Sequence, residues 1–364
     1  MASATVLEVL KTDINEVRIV EDTLPESLSD GQVLLEVDRF AVTANNITYT
    51  TIGETFGYWR FFPTADDTWG RVPVMGYATV TASEHPKVSV GERVWGFFPM
   101  GTHLVINAGQ CNPFSFSDVS EHREGLAPIY AQFQRAATNP IYEGPREAQD
   151  CLLRGLFLTS WLCEDALFEA DYHGAGDCLI TSASSKTSIA LGFAVKDRGQ
   201  ARAIAVTSER NRASCEGLGC YDLVVTYDDV GNLDTAPGAV LVDMAGNAGV
   251  NEAIHRHYGD ALRFDLRIGV THKDAPPPSA EDLPGPKPIV FFAPHQAQKR
   301  GQEWGAEGLE QRIGTSFVRF REFADSWLSV RDFKGSDEAR QAFSEVRDGE
   351  ASPSEGYMVS LAAA

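Results

Sequence analysis

Up to about residue 125, apolar positions alternate with polar ones or gather in short β-branched runs. "NEVRIVE", "QVLLEVDRFAVT", "GYATVTAS", "GERVWGFFP" and "THLVI" are of this kind, with Gly, Pro and Asn between them. That spacing predicts short strands, and strands so closely set predict a small barrel or sandwich. Past residue 126 the period changes. "EGLAPIYAQFQRAATNPIY" and "AQDCLLRGLFLTSWLCEDALFEADY" carry apolar residues at helical spacing. Strands and helices then alternate. "CLITS" precedes a helix beginning near Lys186, and "AIAVTS" precedes one over Arg210 to Gly217. "LVVTY" and "AVLVDMAG" are further strands, followed by a helix over Asn251 to Tyr258 and the strands "FDLRIGV" and "PIVFFAP". Near-continuously apolar strands alternating with helices predict a parallel sheet covered on both faces.

The Pro-rich stretch "DAPPPSAEDLPGPKP", Asp274 to Pro288, interrupts this series as a surface loop. The C-terminal segment reads as a strand, an amphipathic helix and a final strand. Because the parallel sheet already looks complete, this segment is expected to return to the first domain. The division is a first domain over 1–125, completed by 315–364, and a second over 126–314.

The chain has 364 residues, 43% hydrophobic and 23% charged, as in a globular protein of two ordinary domains. No apolar run approaches the ~20 residues that cross a bilayer. "MASAT" lacks the basic head and apolar core of a signal peptide, so a soluble cytoplasmic protein is expected. A net charge of −20 without a basic stripe argues against nucleic acid or anionic lipid as a partner. The six cysteines are scattered with no C-x-x-C pair, so a structural zinc site is not expected and buried reduced thiols are.

The stretch "DCLITSASSKTSIALGFAVKDRG" runs strand, turn, helix, where a nucleotide-binding sheet points backbone N–H groups at a pyrophosphate. Its turn holds no glycine. Ser182, Ala183, Ser184 and Ser185 are small instead, with Lys186 and Thr187 opening the helix. A lysine at a helix start is unusual unless an anion is near. A Walker loop is rejected because Ile180 and Ser185 occupy its two glycine positions. The turn reads equally well as a serine-capped junction without a ligand.

The next strand ends in Thr207-Ser208, with no acid at its tip for a ribose 2′-hydroxyl. Ser208, Arg210 and Arg212 follow, and Tyr227 ends the third strand. A hydroxyl, guanidiniums and a phenol at adjacent strand ends suit a 2′-phosphate, hence NADP(H). Glu209, which could take a ribose, and plain solvated arginines are the competing readings.

These segments together resemble the zinc-independent medium-chain dehydrogenase/reductase superfamily, the group of quinone oxidoreductases and enoyl reductases, over nearly the whole chain. The resemblance rests on "VSVGERVWGFFPMGTHLVI", "AVTANNITYTTIGE" and "LGCYDLVVTY", and on Ser208, Arg212 and Tyr227, which match the quinone-reductase residues that hold the NADP 2′-phosphate. Within it, "ANNITYTTIGETFGYWRFFP", "SASSKTS", "LGCYD", "VDMAGN" and "GVTH" look most like an offshoot family of unknown function. The resemblance implies an α/β protein with an N-terminal GroES-like β-barrel catalytic domain and a doubly wound Rossmann domain binding NADP(H). It also places Gly246, Thr271 and Phe292 at the cofactor.

The chain departs from the superfamily pattern. Asn45, Asn46 and "MGYATV" stand where zinc-dependent relatives carry a cysteine and Gly-His-Glu, and the four-cysteine lobe is absent, so no catalytic metal is expected. Thr48 stands where many relatives have aspartate.

The implied cleft between the domains takes its first-domain side from Asn45 to Pro63. Tyr58 or Tyr49 is a candidate proton donor to the substrate oxygen, with Asn45 or Asn46 assisting; half-buried packing tyrosines are the alternative. His272, after "RIGVT", is a second candidate donor or a surface histidine. Lys299 and Arg300 read as solvated charge rather than substrate contacts.

The leading expectation is an NADPH-dependent reductase of an activated C=C or a quinone-like small molecule, with an acyl thioester among the substrates. A non-catalytic NADP(H) sensor and a non-redox lyase or isomerase are the alternatives, and fold alone does not choose among them. A homodimer is expected.

Overall fold

The computed structural model describes residues 3–244, 246–268 and 283–362. The chain divides into two compact units, 1–152 with 328–364, and 153–327.

The first unit begins with a hairpin, β1 (Ser3–Leu10) and β2 (Asp13–Thr23), and continues into β3 (Gln32–Val42). Two short helices follow, α1 (Ala44–Thr51) and α2 (Gly53–Phe56). The remaining strands are β4 (Trp69–Gly70), β5 (Pro73–Ser83), β6 (Arg93–Pro99), β7 (His103–Gly109), β8 (Ser115–Asp118) and β9 (Gln132–Arg135). Strands β3, β5, β6, β9, β8 and β7 pair antiparallel in that order, and β7 pairs back onto β3. The result is a closed six-stranded GroES-like barrel, which leaves no open edge.

Val33, Leu35 and Val37 alternate inward along β3. A register shift between Val37 and Arg39 then lets Phe40 and Val42 join the same core. Within the first hairpin, the buried Glu8 carboxylate of β1 is held by Arg18 of β2 and by Arg71, at 2.7 and 2.9 Å. Late in the chain β16 (Ser329–Lys334), α8 (Gly335–Arg347) and β17 (Glu355–Ser360) return to this unit, β17 pairing with β3. Phe343 and Tyr357 pack into the barrel core.

The helical spacing read over 124–142 does not form a helix. Two short 3₁₀ turns flank β9 instead. Pro128 and Pro140 oppose a continuous helix, and the barrel needs a strand to seat Phe133. That ring is fully buried, 5.4 Å from Phe98 and 5.6 Å from Phe116. Residues 126–152, expected in the second domain, therefore lie with the barrel. Helix α3 (Glu147–Glu169) begins within this stretch.

The second unit is a parallel sheet of β10 (Asp177–Thr181), β11 (Arg202–Thr207), β12 (Leu223–Thr226), β13 (Ala239–Asp243), β14 (Leu262–Arg267) and β15 (Ile289–Val290). The spatial order is β12-β11-β10-β13-β14-β15, the doubly wound Rossmann order. Every residue of β10 and β13 is buried, as central strands covered on both faces require. Helices α4 (Lys186–Arg198), α5 (Glu209–Leu218) and α6 (Ala248–Tyr258) start close to where the sequence pattern put them.

Helix α7 (Ala293–Ala324) is long, and glycines at 301, 305, 308 and 314 hide it in the sequence. It is interrupted at Gly305, which has φ 75°. Phe317 and Phe320 anchor it 5.5 and 5.0 Å from Phe157 of α3. All six cysteines are unpaired and five are buried. Among the described residues no helix is long and apolar enough to cross a membrane.

Candidate functional site

Strand order reverses between β10 and β13, and doubly wound sheets bind ligands at such a switch point. The turn after β10 takes the shape glycine usually permits, without glycine. Ser182 has φ 49°, the left-handed region, which costs an L-residue about 1–2 kcal/mol. Strain of this sort collects where a ligand needs a particular backbone. Several side chains hold it. Tyr221 donates from its hydroxyl to the Ala183 carbonyl at 2.8 Å, and Asn211 Nδ2 donates to Ser184 Oγ at 2.8 Å. Ser185 caps α4, its Oγ accepting from Ser188 N at 3.1 Å, and Ser188 Oγ donates to the Thr181 carbonyl at 3.0 Å.

Behind the turn lies a buried polar network. Asp243 accepts from Thr181 Oγ1 at 2.9 Å, from Gly246 N at 3.0 Å and from Asn251 Nδ2 at 2.6 Å. The ends of β10 and β13 are thereby locked together. Gly246, at φ 72°, turns the chain there.

Around this turn stand the groups expected at a 2′-phosphate. Ser208 stands at the start of α5 without a side-chain capping bond, and Tyr227 follows β12. Burial raises the pKa of the Tyr227 phenol, and the nearby Ser182 side chain draws it partly back. Arg212 is half-exposed, 3.1 Å from Glu216, 3.8 Å from Glu209 and 3.9 Å from Asp229. These acids raise its pKa, the Glu216 hydrogen bond foremost. Arg210 is exposed.

The first unit carries a separate aromatic nest. Tyr58 opens a 3₁₀ turn over Tyr58–Arg60 and is only 8% exposed. Its ring lies 4.6 Å from Tyr49, 5.4 Å from Phe61 and 5.6 Å from Tyr130. The Tyr58 and Tyr130 hydroxyls are 3.2 Å apart. Burial pushes both phenols up, and Tyr49 as well, though part of the Tyr49 ring remains accessible.

Trp59 anchors this loop. A Cβ at Gly53 or at Gly70 would fall 2.3 Å from the indole, so only glycine fits on either side. Behind Phe61 and Phe62 the buried Arg123 guanidinium sits 5.3 and 4.8 Å from the two rings, with Nε donating to Asp118 at 3.0 Å.

A family model described as "Protein of unknown function (DUF2855)" matches residues 40–352. The chain belongs to the DUF2855 family. Among curated proteins no sequence matches it. CurA from Vibrio vulnificus, solved in complex with NADPH, is similar in fold at 12% identity and TM-score 0.66, covering 99% of this chain and 100% of that one. A mutant form of enoyl thioester reductase from Candida tropicalis aligns at 12% identity and TM-score 0.61, over 99% and 100% of the two chains. A putative NADPH:quinone reductase from Bacillus thuringiensis aligns at 13% identity and TM-score 0.56, over 99% of each. The medium-chain dehydrogenase/reductase fold expected from sequence is thus the fold of this DUF2855 protein.

Residue by residue, the DUF2855 chain brings Ser182, Ser184, Ser185, Ser208 and Tyr227 to neighbouring strand ends. Lys186 and Thr187 form the first turn of α4, and the Thr187 carbonyl accepts from Ser160 Oγ at 2.8 Å. Phe292 caps α7 and is 41% exposed. Thr271 and His272, with much of the Pro-rich loop, lie outside the described residues.

Asn46 is occupied structurally. Its Oδ1 accepts from Thr43 N at 2.6 Å and its Nδ2 donates to the Pro73 carbonyl at 2.8 Å, capping α1 in a buried position. Asn45 is half-buried, and its side chain has no hydrogen-bond partner among the described residues. Arg300 is not solvated charge. It is 8% exposed and donates to Asp165 at 2.6 Å, joining α7 to α3. Sequence reasoning passed over Tyr130, Tyr221 and Asn211. Tyr130 lies in a stretch whose spacing predicts a helix, and Asn211 sits between two arginines whose charge points more directly to a phosphate.

Proposed function

We propose that this protein is an NADPH-dependent reductase of an activated C=C, as in an enone or enoyl thioester, or of a quinone-like acceptor. The observation that carries the reading is the left-handed Ser182 at the sheet's switch point, beside a serine-capped helix start. A glycine-free turn held in that shape, at a cost, fits a phosphate that must approach the backbone closely.

In this reading the first-turn N–H groups of α4, with Lys186, meet the pyrophosphate. Ser208, Arg210, Arg212 and Tyr227 meet the 2′-phosphate, and Gly246 and Phe292 border the rest of the cofactor. Because Ser184 and Ser185 spend their hydroxyls inside the turn, the backbone supplies most of the donors. When bound, the nicotinamide supplies a hydride. The chain's own task is to orient the acceptor and provide a proton where negative charge develops, for which the desolvated phenols of the nest are suited. Asn45, with a free amide, is the better of the two asparagines to touch substrate.

Support comes from the fold shared with CurA, enoyl thioester reductase and the putative quinone reductase. The test is NADPH consumption by the purified protein with cyclohexenone, crotonyl-CoA and menadione. Stoichiometric loss of NADPH with one of them supports the reading. Tight binding without turnover on any would favour an NADP(H) sensor, and product without NADPH loss a lyase or isomerase.

A further inference from the structure

We propose that His255 is a proton-operated latch that holds residues 283–287 in place, so that pH controls the order of the edge strand β15 that follows them. Every group involved lies in the second unit.

His255 of α6 and Asp265 of β14 are both fully buried. The His255 Nε2 lies 3.0 Å from Asp265 Oδ2, and its Nδ1 lies 2.8 Å from the Pro284 carbonyl oxygen. A carbonyl only accepts, so the second bond needs a hydrogen on Nδ1. A neutral ring then has none left for Nε2. The Asp265 bond therefore needs a second proton, whether it sits on the ring or on the carboxyl. Remove one proton and one bond must go. The remaining hydrogen stays with Asp265, because a bare ring nitrogen facing a buried carboxylate costs more than one facing a neutral carbonyl. Asp265 Oδ1 is buried without a partner among the described residues, which leaves the carboxylate dependent on His255. The bond that breaks is the one to Pro284.

Little else ties that segment down. Pro284 and Pro286 have no N–H to donate. Among the described residues no other hydrogen bond joins 283–287 to the rest of the chain. Gly285, at φ 85°, lies against the end of α6, where a Cβ would fall 2.8 Å from the Gly259 carbonyl oxygen. The segment leads directly into β15, which pairs with β14 only through Ile289 and Val290, and Phe291 N donates to the Arg267 carbonyl at 2.8 Å. So short an edge opens readily once its entry is released.

The charges acting on His255 come from β14. Burial disfavours the imidazolium, and Arg267 does so too, but Asp265 and the Pro284 carbonyl outweigh them and leave the pKa above 6.5. On α6 itself Glu252 and Arg256 pair with each other at 2.7 Å. The latch is therefore closed below pH 6.5 and opens as pH rises through the raised value.

Two measurements on the full chain test this, neither needing cofactor or substrate. The first is NMR of protein carrying ¹⁵N-labelled histidine, with the His255 signals assigned from His255→Gln. Nδ1 should carry hydrogen at pH 6 and lose it above a midpoint higher than 6.5. Asp265→Asn should lower that midpoint. A bare Nδ1 at pH 6, or a protonated one persisting to pH 10, overturns the latch. The second is hydrogen exchange, corrected for its intrinsic pH dependence. Amides of Ile289, Val290 and Phe291 should exchange about 10-fold faster or more above the same midpoint, the scale of one hydrogen bond to a charged group, while β10 and β13 stay protected. His255→Gln should abolish that step in pH. Protection of β15 that does not change across the wild-type midpoint overturns the proposal, and this reading stands even if a variant fails to fold.

Discussion

Gly192→Ala would ordinarily help a helix, and here it should harm the protein. Gly192 lies inside α4, where alanine is favoured over glycine by about 1 kcal/mol. Its missing Cβ, however, is the space the Tyr221 ring occupies. A Cβ there would stand 2.4 Å from Cε1, 2.9 Å from Cδ1 and 3.0 Å from Cζ of that ring. Carbon atoms settle at about 3.5–4.0 Å, so the ring must retreat by roughly 1 Å.

Tyr221 is 7% exposed and has little space to yield, which makes this an overpacking cost of about 1–3 kcal/mol. Its hydroxyl holds the Ala183 carbonyl at 2.8 Å, and a 1 Å retreat ends that bond. A buried carbonyl without its donor costs about 1–3 kcal/mol more. After the propensity gain the net is about 1–5 kcal/mol of destabilisation, which at about 2–4 °C per kcal/mol for a unit of this size lowers Tm by roughly 2–20 °C. Urea and thermal unfolding followed by circular dichroism read it directly. NADPH affinity should fall with it, since the Ser182–Ser185 turn loses a tether. A Gly192→Ala protein as stable as wild type would refute the reasoning.

Three further outcomes are expected. Gly53→Ala drives a methyl into the Trp59 indole, so it should raise urea sensitivity and alter tryptophan emission; an unchanged emission spectrum counts against the nest's packing. His255 is buried, which lowers its pKa, but the Asp265 carboxylate at 3.0 Å and the Pro284 carbonyl at 2.8 Å outweigh that and leave it above its ordinary 6.5. Its stabilising contribution is therefore complete below pH 6.5 and lost as pH rises through the raised value, so His255→Gln should flatten the alkaline decline in urea-midpoint stability. Val290 is 78% exposed on the edge strand β15 beside Ile289, at 51%; if the expected homodimer forms along that edge, Val290→Asp should give a monomer in light scattering.

The strand–helix alternation of the second unit was legible because its central strands are buried on both faces and polar residues stand at the starts of its helices. Ser185 and Ser208 mark those starts as plainly in sequence as in structure. The region after residue 126 was not legible. Phe133 is needed by a barrel in which β9 closes between β6 and β8, and local periodicity carries no trace of that closure. Long-range pairing likewise hid Tyr130, whose partner Tyr58 is 72 positions distant. Asn46 looked like chemistry because it is polar in a site-bearing segment, yet three residues after Thr43 it fills the last place of a capping box. Helix α7 escaped because its glycines weaken propensity, whereas Phe317 and Phe320 supply packing that propensity does not see.

The most direct test of the central claim is calorimetric binding of NADPH and NADH to the wild type and to Arg212→Ala. The account predicts that NADPH binds more tightly than NADH and that Arg212→Ala weakens NADPH by about 10- to 100-fold, the worth of a charge-assisted contact to phosphate, while leaving NADH nearly unchanged. Binding of neither nucleotide, or equal binding of both with no effect of the substitution, would contradict it.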